Sequence, residues 1–143
     1  MPSAPPSHHA LPRVAPDLAG AIRHEMAVWA EPVIADCIAD VYGGCALSAP
    51  LCGLLAIHHR RLWRALLLDQ RADAERIWID LERDLTRAGL DREITEEIDA
   101  AVLDELMDIV FARYRTSRDK VRGFSRVLLA AAAQTVAVRP LHA

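Results

Sequence analysis

The sequence predicts an all-α chain of about six helices, and three observations carry that prediction. Beyond residue 16, apolar side chains recur at three- and four-residue intervals in nearly every segment. Asp17, Ser48 and Ser117 precede such segments where an N-cap belongs, and Gly43-Gly44 and Gly89 follow them where a helix stops. No segment alternates apolar with polar residues, and neither an Asn-Gly turn nor an internal repeat occurs.

Residues 1–16 hold Pro2, Pro5, Pro6, Pro12 and Pro16 and little apolar surface, so they read as a flexible arm. Asp17 then opens a helix whose stripe is Leu18, Ala21, Ile22, Met26 and Trp29. Pro32 marks a restart at a first helical turn, and Val33, Ile34, Cys37, Ile38 and Val41 continue to the stop at Gly43-Gly44. Ser48 caps the third helix with Pro50 in its first turn. Winding it at 100° per residue puts Leu51, Leu54, Leu55, His58, Leu62, Ala65 and Leu66 on one face, with His59 on the flank beside Cys52 and Trp63.

The fourth helix follows Asp69-Gln70-Arg71, faces inward through Ala74, Ile77, Trp78, Leu81, Leu85 and Ala88, and ends at Gly89. The last two helices are the long ones and run antiparallel. One spans about Asp91 to Arg115 and has two apolar stripes: Ile94, Ile98, Ala101 and Val102, then Leu103, Leu106, Met107, Val110 and Tyr114. Two faces ask for two packing partners. The other opens at Thr116 or Ser117 and runs through Val121, Phe124, Leu128, Ala132 and Thr135, with Val127, Ala131 and Val138 alongside. Residues 17–139 therefore form one helical domain, and 140–143 a tail.

A length of 143 residues with 52% hydrophobic side chains suits a single core. The net charge of −3 comes from interspersed signs, and the basic cluster of Arg60, Arg61 and Arg64 is a helix-surface patch, so nucleic acid is not an expected partner. The most apolar tract, Val127 to Val138, is shorter than the roughly 20 residues a membrane helix needs, and no secretory signal is evident. A cytoplasmic protein is expected, with Cys37, Cys45 and Cys52 as buried small hydrophobes in a reducing compartment.

No Glu-x-x-His pair that could build a di-iron centre occurs, and there is no His-Glu-x-x-His, phosphate loop or Gly-x-Ser-x-Gly elbow. The acidic residues Glu96, Glu97, Asp99, Asp104, Glu105 and Asp108 read as a solvated helix face. An enzyme is not expected. His58 is the polar group on an otherwise apolar stripe, with two readings open: a hydrogen-bonded core histidine, or a ligand to haem iron. Trp63 and Trp78 read as core fillers.

The stretch from Leu54 to Arg76, with its His58-x-x-x-Leu62-Trp63-x-x-Leu66-Leu67 run and then Arg71-x-Asp73-Ala74, resembles the E-helix region of globin-coupled sensors. These are bacterial globin-fold domains that usually bind haem. Leu81 through Arg87-Ala88-Gly89-Leu90 is similar to the segment in which that family places its proximal histidine, and Val110 to Ser117 looks like its G–H junction. The likeness covers about Ala19 to Ala137. It implies a globin-like fold and a homodimer through the last two helices, with Leu103, Leu106, Met107, Val110, Tyr114, Val127 and Ala131 at the interface. It also implies a pocket bordered by Tyr42, His58, His59, Trp63 and Leu85. The departure is at the centre: Leu85 stands where the proximal histidine belongs, and no histidine lies between His59 and His142.

The resulting expectation is a haem-free globin-like sensory or regulatory domain, acting as a dimer on a small apolar ligand or a signalling partner protein. The alternatives are a gas-sensing globin that holds haem through His58, and an unrelated helical-bundle adaptor.

Overall fold

The computed structural model describes residues 16–139; the expected arm, apart from Pro16, and the expected tail lie outside the described residues. Among the described residues five helices follow one another: α1 (Pro16–Gly43), α2 (Ala49–Leu67), α3 (Arg71–Arg87), α4 (Glu93–Tyr114) and α5 (Arg118–Ala137). No strand occurs among the described residues, and no helix among them is long and apolar enough to cross a membrane.

The count falls from about six to five because α1 runs straight through Pro32, where the sequence predicts a break. A proline inside a helix forfeits one hydrogen bond and costs about 3 kcal/mol. Met26, Ala30, Ile34, Ile38 and Tyr42 lie at four-residue intervals across that proline, and all are fully buried or nearly so. Burying Ile34 and Ile38 contributes about 1.5–3 kcal/mol each, so continuing the ridge outweighs the lost bond.

Three other boundaries follow local chemistry. Ser48 accepts the Leu51 N–H at 3.4 Å and Ser117 accepts the Lys120 N–H at 3.3 Å, each satisfying a donor left unpaired by the helix start. Gly89 ends α3 with φ +69°, a conformation that strains any residue with a Cβ.

Short connections make α2–α3 and α4–α5 into hairpins, and α1 packs against α2, α4 and α5 while α2 also reaches α5. One core results. Leu106 and Val110 are fully buried, and Tyr114 and Ala131 nearly so, all within this chain. Placing these four at an interface between copies is corrected on that basis: α4 is clasped between α1 and α5, so its two apolar faces find both partners in the same monomer. Leu103, Met107 and Val127 are half-buried at the margin of the core. The three cysteines are half-buried rather than buried, and free. Leu54, expected inside, is exposed.

Candidate functional site

Helix α2 delivers the polar centre of the molecule. Its buried arc is Leu55, His59, Leu62, Trp63 and Leu66, rotated toward Trp63 relative to the sequence-derived stripe. His59 is fully buried, whereas His58 sits at the edge with its side chain 17% exposed. The expected order of the two histidines is thus reversed. His58 Nε2 lies 3.1 Å from Asp84 Oδ2, and Asp84, buried on α3, is also approached by Arg87 at 3.7 Å.

His59 is tied at both ring nitrogens. Nδ1 stands 2.9 Å from the Tyr42 hydroxyl on α1, and Nε2 stands 3.1 Å from Asp99 Oδ1 on α4. A carboxylate oxygen only accepts, so the Nε2 proton points at Asp99; in the neutral ring Nδ1 then accepts the Tyr42 O–H. Trp63 Nε1 donates to the same Asp99 oxygen at 2.8 Å, and Arg139 donates to Oδ2. Asp99 therefore takes three donors on its two oxygens and is neutralised by Arg139.

Burial alone would raise the Asp99 pKa. The hydrogen bond from His59, the positive potential of the His59 ring and of Arg139, and the Trp63 N–H together hold it below the ordinary carboxylate value. Burial, with Asp99 nearby, pushes the Tyr42 hydroxyl well above its ordinary value, so it stays a neutral donor. The Arg139 guanidinium lies 4.7 Å from the Trp78 ring centroid, with Arg92 at 5.6 Å from the same ring.

Above this network opens a cleft of about 410 Å³ between α4 and α5, walled by Trp63, Ala100, Leu103, Ala132 and Val136. Asp99, Thr135 and Arg139 also line it, and Arg92 and Glu96 complete it. Arg139 Nε is buried and has no acceptor among the described residues. The cleft continues along the α4–α5 seam into an apolar stripe. On α4 it carries Leu103, Met107 and Phe111, four residues apart; on α5 it carries Leu129, Ala132 and Val136. Phe111, Leu129 and Val136 are 53%, 55% and 74% exposed.

Of the sequence-predicted pocket residues, Tyr42, His59 and Trp63 come together with Asp99. Leu85 is buried in the core on α3, and His58 faces Asp84 instead. Sequence reasoning missed Asp99 and Arg139. A signal for the first was present: Thr95, Asp99, Val102 and Leu106 share one helical stripe, and an acid on such a stripe needs a buried partner. Among the described residues no group of three or more His, Cys, Asp and Glu side chains is arranged to hold a metal ion.

No protein-family model, no curated protein and no solved structure matches this chain.

Proposed function

We propose that this chain is a haem-free, globin-like sensory or regulatory domain that works as a homodimer through the outer seam of α4 and α5. The observation that carries the reading is the make-up of that seam. Its apolar stripe is flanked on α4 by Asp104 and Asp108 and on α5 by Arg122 and Arg126, all exposed. None of these four has an ion-pair partner among the described residues.

A stripe with one acidic and one basic wall is self-complementary. A two-fold axis parallel to the hairpin lays α4 of one copy over α5 of the other and sets acid against base on both sides. The perpendicular two-fold lays α4 over α4 and sets acid against acid, so charge selects the first arrangement. Phe111, Leu129 and Val136, each more than half exposed, supply apolar surface that a lone domain leaves in water.

The haem-free part rests on the fate of the imidazoles. Both nitrogens of His59 are engaged by Tyr42 and Asp99, His58 Nε2 is engaged by Asp84, and Leu85, which the resemblance aligns with the missing ligand, is buried in the core. Recruiting either histidine to iron breaks a buried contact and takes a donor away from a buried carboxylate. The globin-like part rests on the helix pairing: an α4–α5 hairpin with α1 packed against both of its helices and α2 reaching α5.

Sedimentation equilibrium of the wild type and of Phe111→Glu with Leu129→Glu tests the dimer. A dimer that becomes a folded monomer supports the reading; a wild type that is monomeric at high micromolar concentration overturns it. Haemin titration tests the remainder: a stoichiometric Soret band lost in His58→Ala returns the chain to the haem-binding alternative.

A further inference from the structure

We infer that the cleft between α4 and α5 binds a compact apolar molecule carrying one neutral hydrogen-bond acceptor, such as an amide, ester or lactone carbonyl, directed at Arg139. This deepens the sensory reading above by naming what the site takes; the cleft shares Leu103, Ala132 and Val136 with the end of the seam, and the inference stands on three observations of its own.

The first is size and lining. About 410 Å³ is room for a ligand of modest size, and the walls of Trp63, Ala100, Leu103, Ala132 and Val136 are apolar, with a few polar groups converging from Asp99, Thr135 and Arg139. The second is the orphaned donor. Arg139 is 8% exposed, its Nε has no acceptor among the described residues, and its guanidinium is fixed by Asp99 and by the Trp78 ring. A buried donor without a partner weakens the fold, and an acceptor brought by a ligand recovers what is lost. Asp99 Oδ1 already accepts from His59 and Trp63, Asp99 Oδ2 accepts from Arg139, and Thr135 Oγ1 donates to the Ala132 carbonyl at 2.6 Å, so among the described residues Arg139 Nε is the buried donor beside the cleft that lacks an acceptor.

The third is charge. The cleft is lined by two cations, Arg92 and Arg139, and two anions, Glu96 and Asp99, which cancel. A carboxylate ligand would compete with Asp99 for Arg139 and sit against an anion already desolvated; an ammonium would sit against the guanidinium. A neutral carbonyl accepts from Nε and disturbs neither partner. The acyl body displaces water from the walls, and the indole of Trp63, fully buried with its N–H on Asp99, registers the event.

The test uses three probes with one hydrocarbon body: N-methylhexanamide, hexanoate and hexylammonium, titrated into the full chain and followed by calorimetry and by the Trp63 indole N–H resonance. For a ligand of this size a Kd between about 10 μM and 1 mM is expected for the amide. Both charged probes should bind at least about tenfold more weakly. Ala100→Trp, at an exposed wall position, should abolish amide binding while leaving the thermal unfolding curve in place. Arg139→Lys should erase the preference for the amide; should that variant not fold, Ala100→Trp alone decides. Equal binding of the three probes, no saturable amide binding, or amide binding unchanged in Ala100→Trp overturns the inference. Repeating the titration on Phe111→Glu with Leu129→Glu separates this inference from the dimer: binding retained by a monomer supports the cleft even where the seam is misassigned.

Discussion

His59 on α2 and Asp99 on α4 meet at 3.1 Å with no His59 surface left in water, and through this contact the two hairpins share one polar centre. The contact is completed from the other side by Tyr42, so the chain α1–α2–α4 is joined by hydrogen bonds inside an apolar core. Tyr42→Phe keeps the ring and removes the hydroxyl, leaving a buried imidazole nitrogen without its partner. The expected loss is about 1–3 kcal/mol in urea unfolding. Tyr114→Phe is the control: it cuts the bonds to Trp29 and to exposed Glu25 at the protein's margin, where water replaces them, and should cost less.

Asp99 carries a pH dependence whose sign follows from its lowered pKa. The folded state binds the Asp99 proton more weakly than the unfolded state does, so its contribution to stability is complete above the ordinary carboxylate range. It is lost as pH falls through the depressed folded value. Asp99→Asn should flatten the acid limb of the stability profile. At neutral pH it should cost about 3–5 kcal/mol, because Arg139 then keeps a buried charge without its counter-ion. Denaturant unfolding between pH 2 and 7 checks both; an unchanged acid limb in Asp99→Asn would show that other carboxylates set it.

What the sequence made legible is what local chemistry determines. Ser48 and Ser117 cap, Gly89 stops, Trp78 and Leu85 face inward, and α4 carries two apolar faces, each read from neighbours within one or two turns. What it left hidden depends on partners far along the chain. The choice between His58 and His59 follows from Asp99, forty positions on, and from Arg139 beyond it, so a helical wheel that treats both imidazoles alike puts the wrong one inside. Likewise the second stripe of α4 calls for a partner without saying which, and α1 and α5 of the same chain answer for Leu106, Val110 and Tyr114.

Pro32 is the other place where a local rule misleads, and it gives a prediction of the opposite sign. Pro32 is exposed and lies four residues after Val28, whose carbonyl lacks the usual donor. Pro32→Ala removes no core contact, restores an N–H and relieves the ring's clash with the preceding turn. It should raise stability by up to about 3 kcal/mol, seen as a later urea midpoint with an unchanged slope. A drop in stability would mean that the ridge from Met26 to Tyr42 depends on a bend the proline supplies.

The charged walls of the seam provide the sharpest test of how two copies would meet. Asp108 on α4 and Arg126 on α5 stand at nearly equal distances from the turn at Thr116, so the two-fold that lays α4 over α5 brings Asp108 of one copy beside Arg126 of the other, twice per dimer. Rim pairs of this kind contribute about 0.2–1 kcal/mol each, so two of them shift the dimer Kd by roughly 2- to 30-fold. Asp108→Arg should weaken association beyond that loss, because like charges replace opposite ones. Asp108→Arg combined with Arg126→Asp should restore it, with both effects shrinking in high salt. Sedimentation velocity across a concentration series reads all three proteins. A double variant no tighter than the single one would reject the α4-over-α5 arrangement, since in the alternative two-fold Asp108 faces its own copy and Arg126 has no part in its rescue.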